Sequence, residues 1–172
     1  MKMSPRSFFA VSLMIFSATA AFTGWRLLPH QDSTQIDCSS RVIMRFENMD
    51  KENVNGSVHF NFGPGGKGSM VVEGYTDSDE GSLYLQRYVK FAYSVRHVSA
   101  AENHYMINQW QASASSIDRS PDIIFDYFMR EMSDSRDGLF LNARQLSSKT
   151  VLFSSINSPL YICTLKSGST FN

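Results

Sequence analysis

The longest strand candidate in the sequence is SLYLQRYVKFAYSVR, residues 82–96. Its odd-numbered positions are apolar apart from Arg87, while its even-numbered positions are mostly polar residues or tyrosine. Such a period of two is typical of a β-strand with one buried face. Fifteen alternating residues exceed the length of an ordinary strand, so the stretch predicts a bend, a bulge or the wall of a barrel.

Arg87 is the exception on the apolar face of this strand. If it points inward, it needs a carboxylate or carbonyl partner and marks a polar cavity. A bulge that moves its side chain to the other face is an equally good interpretation.

Shorter alternating runs lie on both sides of this strand. In residues 57–62, Val58, Phe60 and Phe62 alternate with polar residues, and the glycine-rich segment 63–69 that follows predicts a hairpin turn. In the run 103–115 the simple alternation places Tyr105 and Ile107 on one face, and Met106 and Trp110 on the other. The remaining strand candidates are 39–47, 70–75, 139–146, 150–156 and 160–165.

A single amphipathic helix is predicted from Pro121 to Met132. Ser120 is placed to cap it, Pro121 suits the first helical position, and the apolar stripe includes Phe125 and Phe128. The predicted fold class is therefore α+β, mainly β: an antiparallel sheet or barrel of about 7–8 strands, with one helix on the sheet or plugging a barrel mouth.

The sequence contains two cysteines, Cys38 near the start of the β-rich region and Cys163 near its end. In an oxidising compartment they most simply form one disulfide that joins the first and last strands. No His lies within four residues of either cysteine and there is no Cys-x-x-Cys, so a metal or redox site is not predicted.

An uncharged segment at the N-terminus predicts a membrane anchor. Residues 7–25 carry no charge and follow Lys2 and Arg6. A helix of this length reaches across a bilayer's hydrocarbon core, and the basic start keeps the N-terminus in the cytoplasm. We therefore expect a cytoplasmic start and anchor in residues 1–29 with the span at about 7–28, a linker at 30–37 and a periplasmic β-rich domain at 38–172.

The competing interpretation is a cleaved secretory signal, because Ala18-Thr19-Ala20 is a small-residue motif after an apolar run. The two interpretations agree that the domain is exported and differ on whether it stays tethered to the inner membrane.

Charge and motifs argue against several functional classes. Removal of Lys2, Arg6 and Arg26 from the 16 basic residues leaves 13 against 16 acidic ones, so the exported part has a net charge of −3 and no basic surface for direct nucleic-acid binding. The sequence has no Gly-x-Ser-x-Gly or His-Glu-x-x-His motif, and its four histidines are scattered without ligand spacing. We predict no catalytic residues, no metal and no cofactor, and hence no enzyme.

The order of these features resembles the FidL-like membrane proteins of enteric bacteria. The segments that carry the resemblance are Cys38, Glu73-Gly74-Tyr75, residues 85–93 (LQRYVKFAY), residues 117–122 (IDRSPD) and residues 157–164 (NSPLYICT). In size and layout this family is similar to ToxS-type accessory proteins, which associate with membrane-spanning winged-helix transcription regulators. The resemblance therefore implies a regulatory accessory partner and brings no catalytic residues with it.

The alternative is a periplasmic binder of a small amphiphile, such as a bile salt, in a barrel-like cavity with the helix as its lid. The residues predicted to line that cavity are Arg87, Phe91, Tyr93, Trp110, Phe125 and Phe128. A cavity at these residues favours ligand binding, whereas a solid core with an unpaired edge strand favours a protein partner.

Overall fold

The computed structural model describes residues 14, 16, 17, 19, 35–45, 53–78, 81–133, 138–156, 158–169 and 171. The chain divides into two compact units, Met1–Asp32 and Ser33–Asn172. The four described residues of the first unit are helical; the rest of the predicted anchor lies outside the described residues. Within the described part of the chain, no helix is both long enough and apolar enough for a membrane span.

The second unit is a closed antiparallel barrel in which every strand pairs with its neighbours in sequence and β1 pairs with β8. The strands are β1 Ile36–Arg45, β2 Asn53–Phe62, β3 Lys67–Ser78, β4 Gly81–Ser99, β5 Glu102–Ala114, β6 Leu139–Ser147, β7 Thr150–Ser154 and β8 Pro159–Leu165. One helix, α1 Asp122–Met132, connects β5 to β6. The predicted class, a mainly β antiparallel barrel with one helix, is confirmed.

The alternation in sequence becomes the inside and outside of the barrel. In β2 the side chains of Val58, Phe60 and Phe62 are buried, while those between them are partly exposed. The predicted hairpin after β2 is present as a short 3-10 turn, Pro64–Gly66, in which Gly65 and Gly66 have φ angles of 73° and 70°. These are left-handed conformations that glycine adopts without a steric penalty.

A bulge in β5 changes which residues face the core. Tyr93 of β4 lies opposite Ile107, but Ala92 lies opposite Gln109, so β5 has one extra residue at this point. The parity of β5 is therefore reversed beyond the bulge, and Trp110 lies opposite the inward-facing Phe91. The predicted placement of Trp110 on the face of Met106 is wrong for this reason.

Two pairs of neighbouring strands in the barrel are hydrogen-bonded along only part of their length. Pairing between β5 and β6 covers Glu102–Ile107 and Leu139–Arg144 and stops there, and pairing between β1 and β8 involves only Cys38 and Ser39 of β1. Helix α1 contributes Met129 and Met132 to the side where β5 and β6 separate. Its buried residues form one cluster with the inward side chains of the strands, so the helix covers the core on this side without pairing with the backbone of β5.

The predicted disulfide is confirmed. Cys38 in β1 and Cys163 in β8 are bonded, with Cα atoms 5.6 Å apart, and both residues are fully buried. The bond joins the first and last strands beside their short pairing region, and therefore closes the barrel covalently where its hydrogen-bonded seam is shortest.

Candidate functional site

The six residues predicted to line a cavity lie in two groups. Phe91 and Tyr93 pack against Phe62, with ring centroids 5.4 and 5.2 Å apart, and Trp110 lies beside Phe91 in the strand register. The phenol of Tyr93 donates a hydrogen bond to the carbonyl of Gly63 at 2.6 Å. This group belongs to the aromatic core and extends to the open side of β5.

The second group lies at the start of α1. Phe125 and Phe128 are stacked at 6.2 Å on the buried side of the helix, and the guanidinium of Arg87 lies 5.5 Å from the ring centre of Phe125. Five of the six residues are buried or partly buried, whereas Trp110 is exposed, and the sequence did not indicate that they form two separate groups.

The cavity that described residues of the helix and the strands form between them is small. A cavity of about 10 Å³ lies between Phe91, Trp110 and Met129. A single water needs about 10–15 Å³ on this measure, so the volume is too small for a bile salt in this conformation. The hypothesis of an internal amphiphile requires α1 to move away from the strands, and it stays a prediction.

Arg87 points inward and is held by carboxylates, so no bulge turns it outward. Its Nε donates to Asp118 Oδ2 at 2.7 Å, its Nη1 to Asp122 Oδ1 at 2.6 Å and its Nη2 to the carbonyl of Ser120 at 3.1 Å. These contacts connect the middle of β4 to the segment that begins α1. We call Arg87, Asp118, Ser120 and Asp122 the Arg87 clasp.

The electrostatics of the clasp follow from burial and hydrogen bonding. Burial by itself raises the pKa of the Asp118 carboxyl, but hydrogen bonds from the Gln86 N–H, from Ser120 and from Arg87 outweigh it and leave the pKa below its ordinary value. Burial by itself lowers the pKa of the Arg87 guanidinium, because it disfavours the charged form. The hydrogen bonds to Asp122 and Asp118 outweigh burial and raise this pKa above its ordinary value. Both groups are therefore charged at neutral pH, and the guanidinium of Arg87 donates to the carboxylate of Asp118.

Ser120 does not cap the helix as predicted. The capping position is occupied by Pro121, and no side chain provides a capping hydrogen bond there. The hydroxyl of Ser120 donates instead to Asp118 Oδ1 at 2.9 Å. Ser120 therefore lies next to the helix start as expected, but its hydroxyl orients the carboxylate of Asp118 instead of capping the first turn.

A second candidate site is the part of β5 beyond the bulge, residues 109–114, which we call the free edge. In the described part of the chain this segment pairs with β4 on one side and has no strand partner on the other. Trp110 is 45% exposed there, and the surrounding run 105–117 has no charged residue. Sequence periodicity could not reveal the free edge, because it does not indicate where a neighbouring strand ends.

A cluster of Ser57, His59 and Glu73 on the outer face has the residue types of a hydrolytic triad but not its geometry. The same histidine atom, Nε2, lies 3.3 Å from both the serine hydroxyl and the glutamate carboxylate. In a triad the two ring nitrogens contact different partners. Among the residues that the structure describes, no group of His, Cys, Asp and Glu could hold a metal ion.

Comparison with known families gives a match over the middle and C-terminal part of the chain. The family described as "FidL-like putative membrane protein" matches residues 74–163, just over half of the 172-residue chain. The chain belongs to this family. The FidL-like region extends from β3 into β8 and contains the Arg87 clasp, the free edge and α1. No curated protein sequence matches the chain.

Two of the five segments that carry the FidL-like resemblance meet at the clasp. Residues 85–93 supply Arg87, and residues 117–122 supply its three partners. Contacts between these two segments thus join β4 to the start of α1.

Proposed function

We propose that this FidL-like protein is a non-enzymatic accessory partner of a membrane-spanning winged-helix transcription regulator. In this proposal a single N-terminal span anchors the chain in the inner membrane, the N-terminus is cytoplasmic, and the barrel lies in the periplasm. The barrel binds the regulator's periplasmic part through the free edge, and binding stabilises the regulator or shifts its signalling state. The observation that carries the proposal is an uncharged strand edge that, in the described part of the chain, has no neighbouring strand on one side.

The free edge has the properties of a site for strand addition. A strand without a neighbour presents backbone N–H and C=O groups, and proteins usually protect such edges with charged residues or proline. The edge residues here include Gln109, Trp110 and Gln111, with no charge and no proline. A strand of a partner can pair with them in the manner of β-augmentation, while Trp110 offers an aromatic anchor.

The disulfide supports the periplasmic location. A cystine between β1 and β8 is typical of compartments in which thiols are oxidised and is rare in the cytosol. The uncharged run 7–25 and its basic flank support the anchor and its orientation.

Affinity capture tests the proposal. Tagged full-length protein is expressed with a membrane-spanning winged-helix regulator encoded beside it, and complexes are isolated from detergent-solubilised membranes. We expect the regulator to be recovered with the wild type. We expect the Gln109→Lys/Gln111→Lys variant to lose most of it, because charges on the edge oppose strand pairing.

The matched control is Ser82→Lys/Ser94→Lys, which adds the same charge at exposed positions of β4 away from the edge. Recovery should be unchanged in this control. If the regulator is expressed but is not recovered with the wild type, or is recovered equally with both lysine pairs, the proposal is wrong.

A further inference from the structure

The outer face of β1 to β4 carries a shallow groove that the proposed function does not use. Its volume is about 400 Å³, within the range of about 300–1,000 Å³ typical of small-molecule sites. Its lining side chains are those of Arg41, Asn55, Ser57, Glu73, Tyr75 and Tyr84, and we call it the outer groove. We propose that the outer groove binds a neutral oligosaccharide.

The strand register arranges these side chains in two rows. Arg41 lies opposite Ser57, which lies opposite Glu73, and these three form a polar row across β1, β2 and β3. Asn55 and Tyr75 lie opposite each other in the second row, which Tyr84 continues onto β4. Between the rows lie Gly56 and Gly74, which are paired and have no side chain. The groove therefore has one polar side, one mainly aromatic side and a floor of backbone.

The aromatic side is built from two tyrosines in contact. The rings of Tyr75 and Tyr84 meet edge to face at 5.4 Å, and Tyr75 is 56% exposed. Aromatic rings bury apolar surface while their hydroxyls stay hydrated. A pyranose ring has the complementary form, because its C–H face is apolar and its rim carries hydroxyls.

Polar groups with unused hydrogen-bonding capacity line the same groove. The side chains of Arg41 and Asn55 have no hydrogen-bond or ion-pair partner among the residues that the structure describes. Glu73 accepts bonds from Ser57 at 3.3 Å and retains further acceptor capacity. The groove thus offers both donors, from Arg41 and Asn55, and acceptors, from Glu73 and Asn55, to the hydroxyls of a sugar.

Charge and backbone pairing exclude two other ligand classes. Arg41 and Glu73 balance each other, so the outer groove has no excess positive charge to attract a phosphate or another anion. The floor strands β2 and β3 are paired on both sides along the groove. A peptide strand therefore finds no free backbone edge here, whereas a sugar needs only side-chain partners.

Titration of the full-length protein, followed by saturation-transfer NMR and calorimetry, tests the inference. The two neutral probes are a β-1,4-linked N-acetylglucosamine tetramer and an α-1,4-linked glucose hexamer. We expect saturable binding of at least one probe. Tyr75→Ala should weaken it at least about tenfold, a loss of about 1.4 kcal/mol.

Tyr88→Ala is the matched control, because Tyr88 is a tyrosine on the same outer face, 43% exposed, that is not part of the groove lining. Arg41→Ala provides a second variant with no side-chain partner to disrupt in the described fold. Equal binding by the wild type, Tyr75→Ala and Arg41→Ala would overturn the inference, as would no binding of either probe. These residues lie apart from the free edge, so the result is independent of regulator capture.

Discussion

Arg87 of β4 donates a hydrogen bond of 2.7 Å to Asp118, a residue 31 positions later, and the two side chains are 9% and 2% exposed. A buried pair of this kind provides specificity of position rather than a large net gain in stability. Here it fixes the point at which the chain leaves the sheet to begin α1.

Loss of one partner of this pair should be severe. In Arg87→Met the carboxylate of Asp118 stays buried without its cation, and we expect the free energy of unfolding to fall by about 3–5 kcal/mol in urea denaturation. Asp122→Asn is the control, because the Asp122 side chain is 87% exposed and its ion pair should contribute less than about 1 kcal/mol. Similar losses in both variants would contradict the assigned roles.

Acid should weaken the clasp through Asp118. The pKa of the Asp118 carboxyl is lower in the folded protein than its ordinary value of 3.8. The stabilisation that the ionised carboxylate contributes is therefore complete above pH 3.8 and is lost as pH falls through the folded-state pKa. Between about pH 5 and pH 2 the wild type should therefore lose more stability than Asp118→Asn. Equal slopes in urea denaturation across this range would show that another group controls acid unfolding.

Reduction of the disulfide should destabilise the barrel strongly. The bond connects residues 125 positions apart, and in the chain-entropy model a loop of this size contributes about 4–5 kcal/mol. Thermal unfolding with and without reductant measures the effect. Cys38→Ala/Cys163→Ala should unfold at the temperature of the reduced wild type and should not respond to reductant.

Tyr161 contains an unusual buried hydroxyl. Its oxygen has no hydrogen-bond partner in the described structure, and the residue is 4% exposed. Because an unpaired buried hydroxyl costs free energy, Tyr161→Phe should be as stable as the wild type or more stable by about 1 kcal/mol at pH 7. A loss above about 1 kcal/mol would mean that the hydroxyl has a partner.

The same variant gives a prediction for alkaline pH. Burial, aided by the negative charge of Glu131, raises the pKa of the Tyr161 phenol above 10.0. Below pH 10 the phenol is neutral in both the folded and the unfolded protein. As pH rises above 10 the unfolded phenol ionises first, so the folded state loses stability. Wild type should therefore lose stability above pH 10 relative to Tyr161→Phe, which has no phenol at this position to ionise.

The sequence predicted the local elements well, because alternation and amphipathicity are local properties. Residues 139–146 and 150–156, for example, correspond to β6 and β7 within two residues at each end. Closure of the sheet could not be predicted in this way, since a barrel strand and a strand of an open sheet share the same alternation.

The errors at the candidate sites have specific physical causes. The face of Trp110 was predicted wrongly because the extra residue of the bulge leaves no mark in composition. The inward position of Arg87 could be decided only by its partner Asp118, which the fold brings near from another segment. The free edge exists because β6 begins opposite Ile107 and leaves the rest of β5 unpaired on that side in the described structure. This register is a property of the assembled barrel.

The bond between Cys38 and Cys163 also determines how the barrel responds to mechanical force. A pull on the chain before β1, resisted after β8, passes directly through the sulfur atoms. The 124 residues between the two cysteines lie outside this direct covalent path. Tension at the two ends of the chain can therefore detach only the strand residues outside the bond, and the six strands between β1 and β8 are shielded from it.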